Sequence, residues 1–164
     1  MQPGRCYRVV IPTMLFSLML VLLPLPEWAH AFRPDWVTLF MIYWAMAMPE
    51  FVGLMMAWIF GLLLDVAQGT ILGQHALGLV LVIWVVQMTY LRIRVASLLQ
   101  QALVIFVLLL AKLLLTLWVS GLVGQAPENI TLYLLPGVTG ALIWPWLFIV
   151  LRDIRRRYTL TNRF

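Results

Sequence analysis

Residues 60–80 read FGLLLDVAQGTILGQHALGLV. An apolar run is broken by Asp65, Gln68, Thr70, Gln74 and His75, is punctuated by Gly61, Gly69, Gly73 and Gly78, and then resumes. Asp65, followed by Gln68-Gly69-Thr70, reads as a helix end and a tight turn, with Gly69 able to take the left-handed conformation of a C-cap. In lipid every polar group in such a turn needs a partner or water, so the cluster either clamps a hairpin or forms a site.

The composition supplies the membrane. The chain has 164 residues, 64% of them hydrophobic and 10% charged, and its mean hydropathy is +1.01. A soluble domain carries about 25% charged residues. A core of this size cannot hide so much apolar surface, which leaves lipid to cover the excess. The single cysteine, Cys6, excludes a disulfide framework within the chain and reads as an ordinary reduced thiol. No cofactor or metal motif is present in the pattern of Cys and His. The high isoelectric point, near 10.0, comes from arginines beside apolar spans, which suit orientation and anionic lipid rather than nucleic acid.

Working outward from the quoted stretch, six apolar spans fall at about 9–23, 36–48, 51–67, 71–90, 98–123 and 131–151, followed by a basic tail at 152–164. The expectation is an all-α integral membrane protein, a single bundle of six transmembrane helices. The second span covers only about 20 Å against roughly 30 Å of hydrocarbon, so it extends into residues 32–35, thins the bilayer locally, or stops short inside the bundle; extension with local thinning is the expectation. Arg5 and Arg8, then Arg92 and Arg94, then Arg152, Arg155, Arg156, Arg157 and Arg163 all fall on one side of such a bundle. The positive-inside rule makes that side the cytoplasm, with both termini there. A cleavable signal peptide ending at Ala29-His30-Ala31 is disfavoured by Glu27 and Trp28 at the membrane edge.

Within this layout the candidate residues sort by chemistry. Gly53, Ala57 and Gly61 recur every four residues and lead to Asp65, a small-residue stripe suited to close packing inside the bundle or to docking a partner's helix. Asp65 is expected to bind the backbone N–H groups that open the fourth span, with a ligand site or a partner contact as alternatives. Asp65, Gln68, Gln74 and His75 make a possible pocket. A catalytic Asp–His pair also needs a nucleophile or a metal, and Thr70, the nearby hydroxyl, reads better as a cap. Asp35, after Arg33-Pro34, is expected to cap the second span, and Glu50 to be solvated among headgroups. Lys112, midway along the fifth span, snorkels, lines a cavity, or pairs with an acid of this chain or of a partner. Pro145, between Trp144 and Trp146, should kink the sixth span. Arg152, Arg155, Arg156 and Arg157 form a collar for anionic phospholipid, with a cytoplasmic protein as the alternative.

The ordered set Phe32-Arg33-Pro34-Asp35-Trp36-Val37, Ile42-Tyr43-Trp44, Pro49, Gly61-Leu62-Leu63-Leu64-Asp65 and Gly69-Thr70-Ile71-Leu72-Gly73-Gln74-His75-Ala76-Leu77 resembles the rod shape-determining protein MreD family. The likeness spans nearly the whole chain, down to the Trp-Pro-Trp of the last span. It implies a fold similar to the substrate-binding S components of energy-coupling-factor transporters. It also implies a non-enzymatic inner-membrane subunit of the bacterial elongation machinery. Such a subunit binds the single-span protein MreC and works with MreB, the glycosyltransferase RodA and its transpeptidase in lateral wall synthesis. The family's characteristic positions fall here on Arg33, Pro34, Asp65, Gly69 and Gly73, and no catalytic residue is carried over. The rival expectation is a small-molecule or lipid-binding membrane subunit like a transporter S component.

Overall fold

The computed structural model describes residues 3–30, 32–124 and 129–161, without the side chains of 3–6, 27, 30 and 159–161. The side chains of Arg5 and Cys6, the loop at 125–128 and Arg163 lie outside the described residues. Among the described residues seven helices follow in order: α1 (Pro3–Leu22), the short α2 (Glu27–His30), α3 (Trp36–Ala47), α4 (Leu54–Gln68), α5 (Gln74–Val95), α6 (Leu98–Leu122) and α7 (Ile130–Thr161). The fold is all-α. Among the described residues three helical segments, Gln74–Val95, Leu98–Leu122 and Ile130–Tyr158, are long and apolar enough to cross a membrane.

The shortest of the main helices lies at the centre. Every residue from Val37 to Met46 is buried, and α3 packs against α1, α5 and α7. A helix walled in by protein has no lipid to span, so its 12 residues, about 18 Å at 1.5 Å each, suffice. The expected extension into residues 32–35 does not occur: Arg33, Pro34 and Asp35 stay outside the helix. Asp35 closes its start instead, its Oδ1 accepting from Thr38 N at 3.2 Å. Arg33 closes the end of α1 in turn, donating from Nη2 to the carbonyls of Leu20 and Leu23, both at 2.7 Å. These carbonyls have no partner within a helix that stops at Leu22. The Arg-Pro-Asp run therefore finishes one helix and starts the next.

α4 starts at Leu54, later than hydropathy alone suggests, after a turn through 51–53 held by Gln87 Nε2 donating to Val52 O at 3.1 Å. α5 begins at Gln74 and runs on to Val95, so Arg92 and Arg94 occupy its last turn. α7 passes through Pro136 and Pro145 without a break and extends to Thr161, so the basic collar rides on its final turns. Polar contacts between helices are few but placed where they lock neighbours. Trp44 Nε1 donates to Thr13 Oγ1 at 2.9 Å, and Trp144 Nε1 to Gln101 Oε1 at 3.3 Å.

The small-residue stripe is turned inward. Ala57 is fully buried, and a Cβ on Gly61 would lie 2.3 Å from Ala76 Cα and 2.8 Å from Ala76 N. α5 itself occupies this face, so Gly61 is not free to dock another chain's helix. At Gly53 the same Cβ would meet its nearest neighbour, Gln87 Nε2, only at 3.9 Å. Gly61→Ala should therefore force α4 and α5 apart and cost about 1–3 kcal/mol, as overpacking does. Gly53→Ala should change stability by less than about 1 kcal/mol. Thermal unfolding of the two variants in the same detergent checks the contrast; equal midpoints would refute the close approach.

Candidate functional site

The helix directions alternate, so the C-terminal ends of α1, α4 and α6 meet the N-terminal ends of α3, α5 and α7. The polar residues of the quoted stretch lie at this end, opposite Arg92, Arg94 and the α7 collar. The α4–α5 turn explains most of them. Gly69 (φ 64°) is the left-handed cap of α4, and Thr70 N donates to Asp65 O at 3.0 Å. Gly73 (φ 100°) precedes α5 in a conformation that side chains with a Cβ rarely adopt.

Between the two glycines the chain folds back over Asp65, which is fully buried. Its Oδ2 accepts from Gly73 N at 2.8 Å, and its Oδ1 accepts from His75 N at 2.9 Å and Thr70 Oγ1 at 3.0 Å. His75 Nδ1 completes the set, 2.8 Å from Oδ1. Of these four contacts Oδ1 takes three and Oδ2 one, so the carboxylate is held chiefly through Oδ1. Two of these donors are N–H groups at the start of α5, which have no partner within their own helix and form a natural anion seat.

This geometry answers the question of chemistry at the cluster. Thr70 Oγ1 lies 3.3 Å from His75 Nδ1, the same ring nitrogen that faces Asp65. In a nucleophile–base–orienter relay the acid and the nucleophile take opposite ring nitrogens. Here both crowd one, so Thr70 stiffens the clamp rather than being activated by it. Among the described residues no group of three or more His, Cys, Asp or Glu stands close enough to hold a metal ion.

Gln74 does not join a pocket with Asp65, Gln68 and His75. It points to α6, its Nε2 donating to Ser120 Oγ at 2.7 Å. Asp65 is enclosed by its donors and is not among the residues that line the neighbouring cavity. Gln68 and His75 do face one, together with residues that the sequence did not group with them. This cavity, of about 660 Å³, is bordered by Leu23, Arg33, Asp35, Leu113, Asn129 and Tyr133 among others. One amide and one ring of the expected pocket remain, and a guanidinium, a carboxylate and a phenol join them.

Lys112, whose role the sequence left open, ends beside that cavity. It is 1% exposed. Its Nζ pairs with Asp35 Oδ2 and donates to Thr38 Oγ1 at 2.7 Å. Its stem crosses α5 at Gly78, where a Cβ would come within 2.8 Å of Lys112 Cγ. Asp35 thus serves twice, as the cap of α3 and as the counter-ion of a buried lysine. At the opposite end, Arg152 Nε lies 3.7 Å from Asp153 Oδ1, and Tyr43, Arg94, Phe148 and Arg155 surround a cleft of about 30 Å³.

No solved structure matches the chain. The family model described as rod shape-determining protein MreD matches residues 4–154. The chain is also similar to "Rod shape-determining protein MreD" of Haemophilus influenzae, with 30% identity over 156 residues, covering 92% of this chain and 93% of that protein. The chain therefore belongs to the MreD family of rod shape-determining proteins.

Proposed function

We propose that this chain is a non-catalytic inner-membrane subunit of the machinery that builds the lateral wall of rod-shaped bacteria, and that its α4–α5 hairpin docks the transmembrane helix of MreC. Family membership supports the setting. The observation that carries the docking is a stripe on α4: Met55, Ile59, Leu63 and Val66 share one face at helical spacing, and Met55 and Val66 are 77% and 70% exposed. The stripe runs back to back with the buried Gly61 face, so α5 grips one side and leaves the other for a partner. Helices associate in lipid by such close dispersion contacts, without a hydrophobic driving force.

The rest of the proposal is positional. Six apolar helices, α1 and α3 to α7, form a bundle of the S-component kind around the shielded α3. Arg8, Arg92, Arg94 and the α7 collar gather at one end, which the positive-inside rule assigns to the cytoplasm along with both termini. Arg152, Arg155, Arg156 and Arg157 hold anionic phospholipid there. Through MreC the subunit influences MreB, RodA and its transpeptidase.

The test is co-purification of MreC from membranes. The quadruple variant M55A/I59A/L63A/V66A should lose about tenfold in MreC recovery while keeping the unfolding temperature of the unaltered protein. Full recovery with the quadruple variant would refute docking on this stripe.

A further inference from the structure

We propose that the cavity at the Arg33 end of the bundle is a binding site for a single-chain amphiphile with an anionic headgroup. The site is separate from the outward face of α4 and does not depend on it. At about 660 Å³ it lies within the range of small-molecule pockets, roughly 300–1,000 Å³. Its chemistry is divided. Leu64, Leu113, Leu132 and Pro136 give apolar walls for a hydrocarbon chain, and Arg33, Gln68, His75 and Tyr133 give the polar part.

The charges indicate the sign of the headgroup. Of the two carboxylates nearby, Asp35 is neutralised by Lys112, and Asp65 is enclosed by four donors and does not border the cavity. Arg33 has no carboxylate partner among the described residues. One of its nitrogens is spent on the carbonyls of Leu20 and Leu23. Its Nε is buried without a hydrogen-bond partner among the described residues. An anion in the cavity meets the guanidinium charge directly, at the nitrogens that are not enclosed as Nε is. Guanidinium matches the planar or tetrahedral oxygens of carboxylate and phosphate better than ammonium does. The two carbonyl bonds hold the guanidinium in place, so little side-chain entropy is lost when the anion arrives.

The probes are lysophosphatidylglycerol, with one chain and a net negative head, the zwitterionic lysophosphatidylcholine of the same chain, and glycerol phosphate, which has the head without the chain. Binding to the full-length protein in a non-ionic detergent is followed by native mass spectrometry and by thermal stabilisation. The anionic lysolipid should bind at least about tenfold more tightly than the zwitterionic one. Arg33→Gln should abolish that preference. Since Arg33 also caps α1, Leu113→Trp provides the second variant: it fills the apolar wall and should remove binding without lowering the unfolding temperature. Equal binding of the two lysolipids, or unchanged binding by the Leu113→Trp protein, would mean lipid on the outer surface only and overturn the proposal. Glycerol phosphate binding as tightly as the lysolipid would make it a soluble-anion site and overturn it as well.

Discussion

Asp65→Ala is expected to lower the stability of the protein by about 3–5 kcal/mol. The substitution leaves the N–H groups of Gly73 and His75 without an acceptor at the start of α5, and frees Thr70 and the His75 ring. Each buried unsatisfied donor costs about 1–3 kcal/mol. The two side-chain donors cost less, since His75 borders the neighbouring cavity and Thr70 is only part-buried. Asp65→Asn retains one acceptor oxygen but presents an NH₂ to a nest of donors, so about half the loss is expected. The unfolding midpoints of both variants in mixed micelles are the measurement. An alanine variant within about 0.5 kcal/mol of the unaltered protein would show that the turn does not depend on its carboxylate.

The contrast with docking is useful. Loss of MreC from the Asp65→Ala protein alone does not separate a broken hairpin from a broken interface, since the clamp holds α4 and α5 in register. The M55A/I59A/L63A/V66A variant alters the outward face and leaves the clamp intact. The two sets of variants should therefore diverge: Asp65 moves stability and recovery together, and the outward stripe moves recovery alone.

The clamp was legible in the sequence because it is local. Asp65, Thr70, Gly73 and His75 lie within ten positions of one another, and the left-handed glycines announce the turn that brings them together. The cap at Asp35 was legible for the same reason. What could not be read was the rotation of each helix. A soluble helix shows its inner face by hydrophobic contrast, but a helix between protein and lipid is apolar all round, so periodicity carries little information about which side is buried. Gln74 illustrates this, assigned with His75 to one pocket and found instead on Ser120, 46 positions away. The length of the second span admits more than one outcome, and length alone does not choose among them. A helix too short for the bilayer can thin the membrane or avoid it, and α3 avoids it by sitting inside the bundle. Arg33 shows the limit from the other side: its motif was visible, but its contact with the end of α1 and its place at the cavity depend on the fold of the loop.

Lys112→Met is expected to cost about 3–5 kcal/mol, and the double variant D35N/K112M to recover most of that loss. The lysine is 77 positions from Asp35, and the two charges meet in the bundle with side chains 2% and 15% exposed. Removing the cation alone leaves a carboxylate that only Thr38 and the cavity can solvate, which is the costly case for a buried pair. Removing both charges avoids that penalty. Methionine follows the same path past Gly78 as the lysine stem, and asparagine keeps an oxygen to cap α3. A double-mutant cycle on unfolding midpoints should give a coupling of about 2 kcal/mol or more. Effects that add to within about 0.5 kcal/mol would mean that water in the cavity already satisfies Asp35, and that the pair joins α3 to α6 in position but not in energy. A large coupling makes Lys112 the residue that lets Asp35 stay ionised beside an apolar chamber. It would also leave Arg33 as the cation there that a ligand's anionic group can still claim.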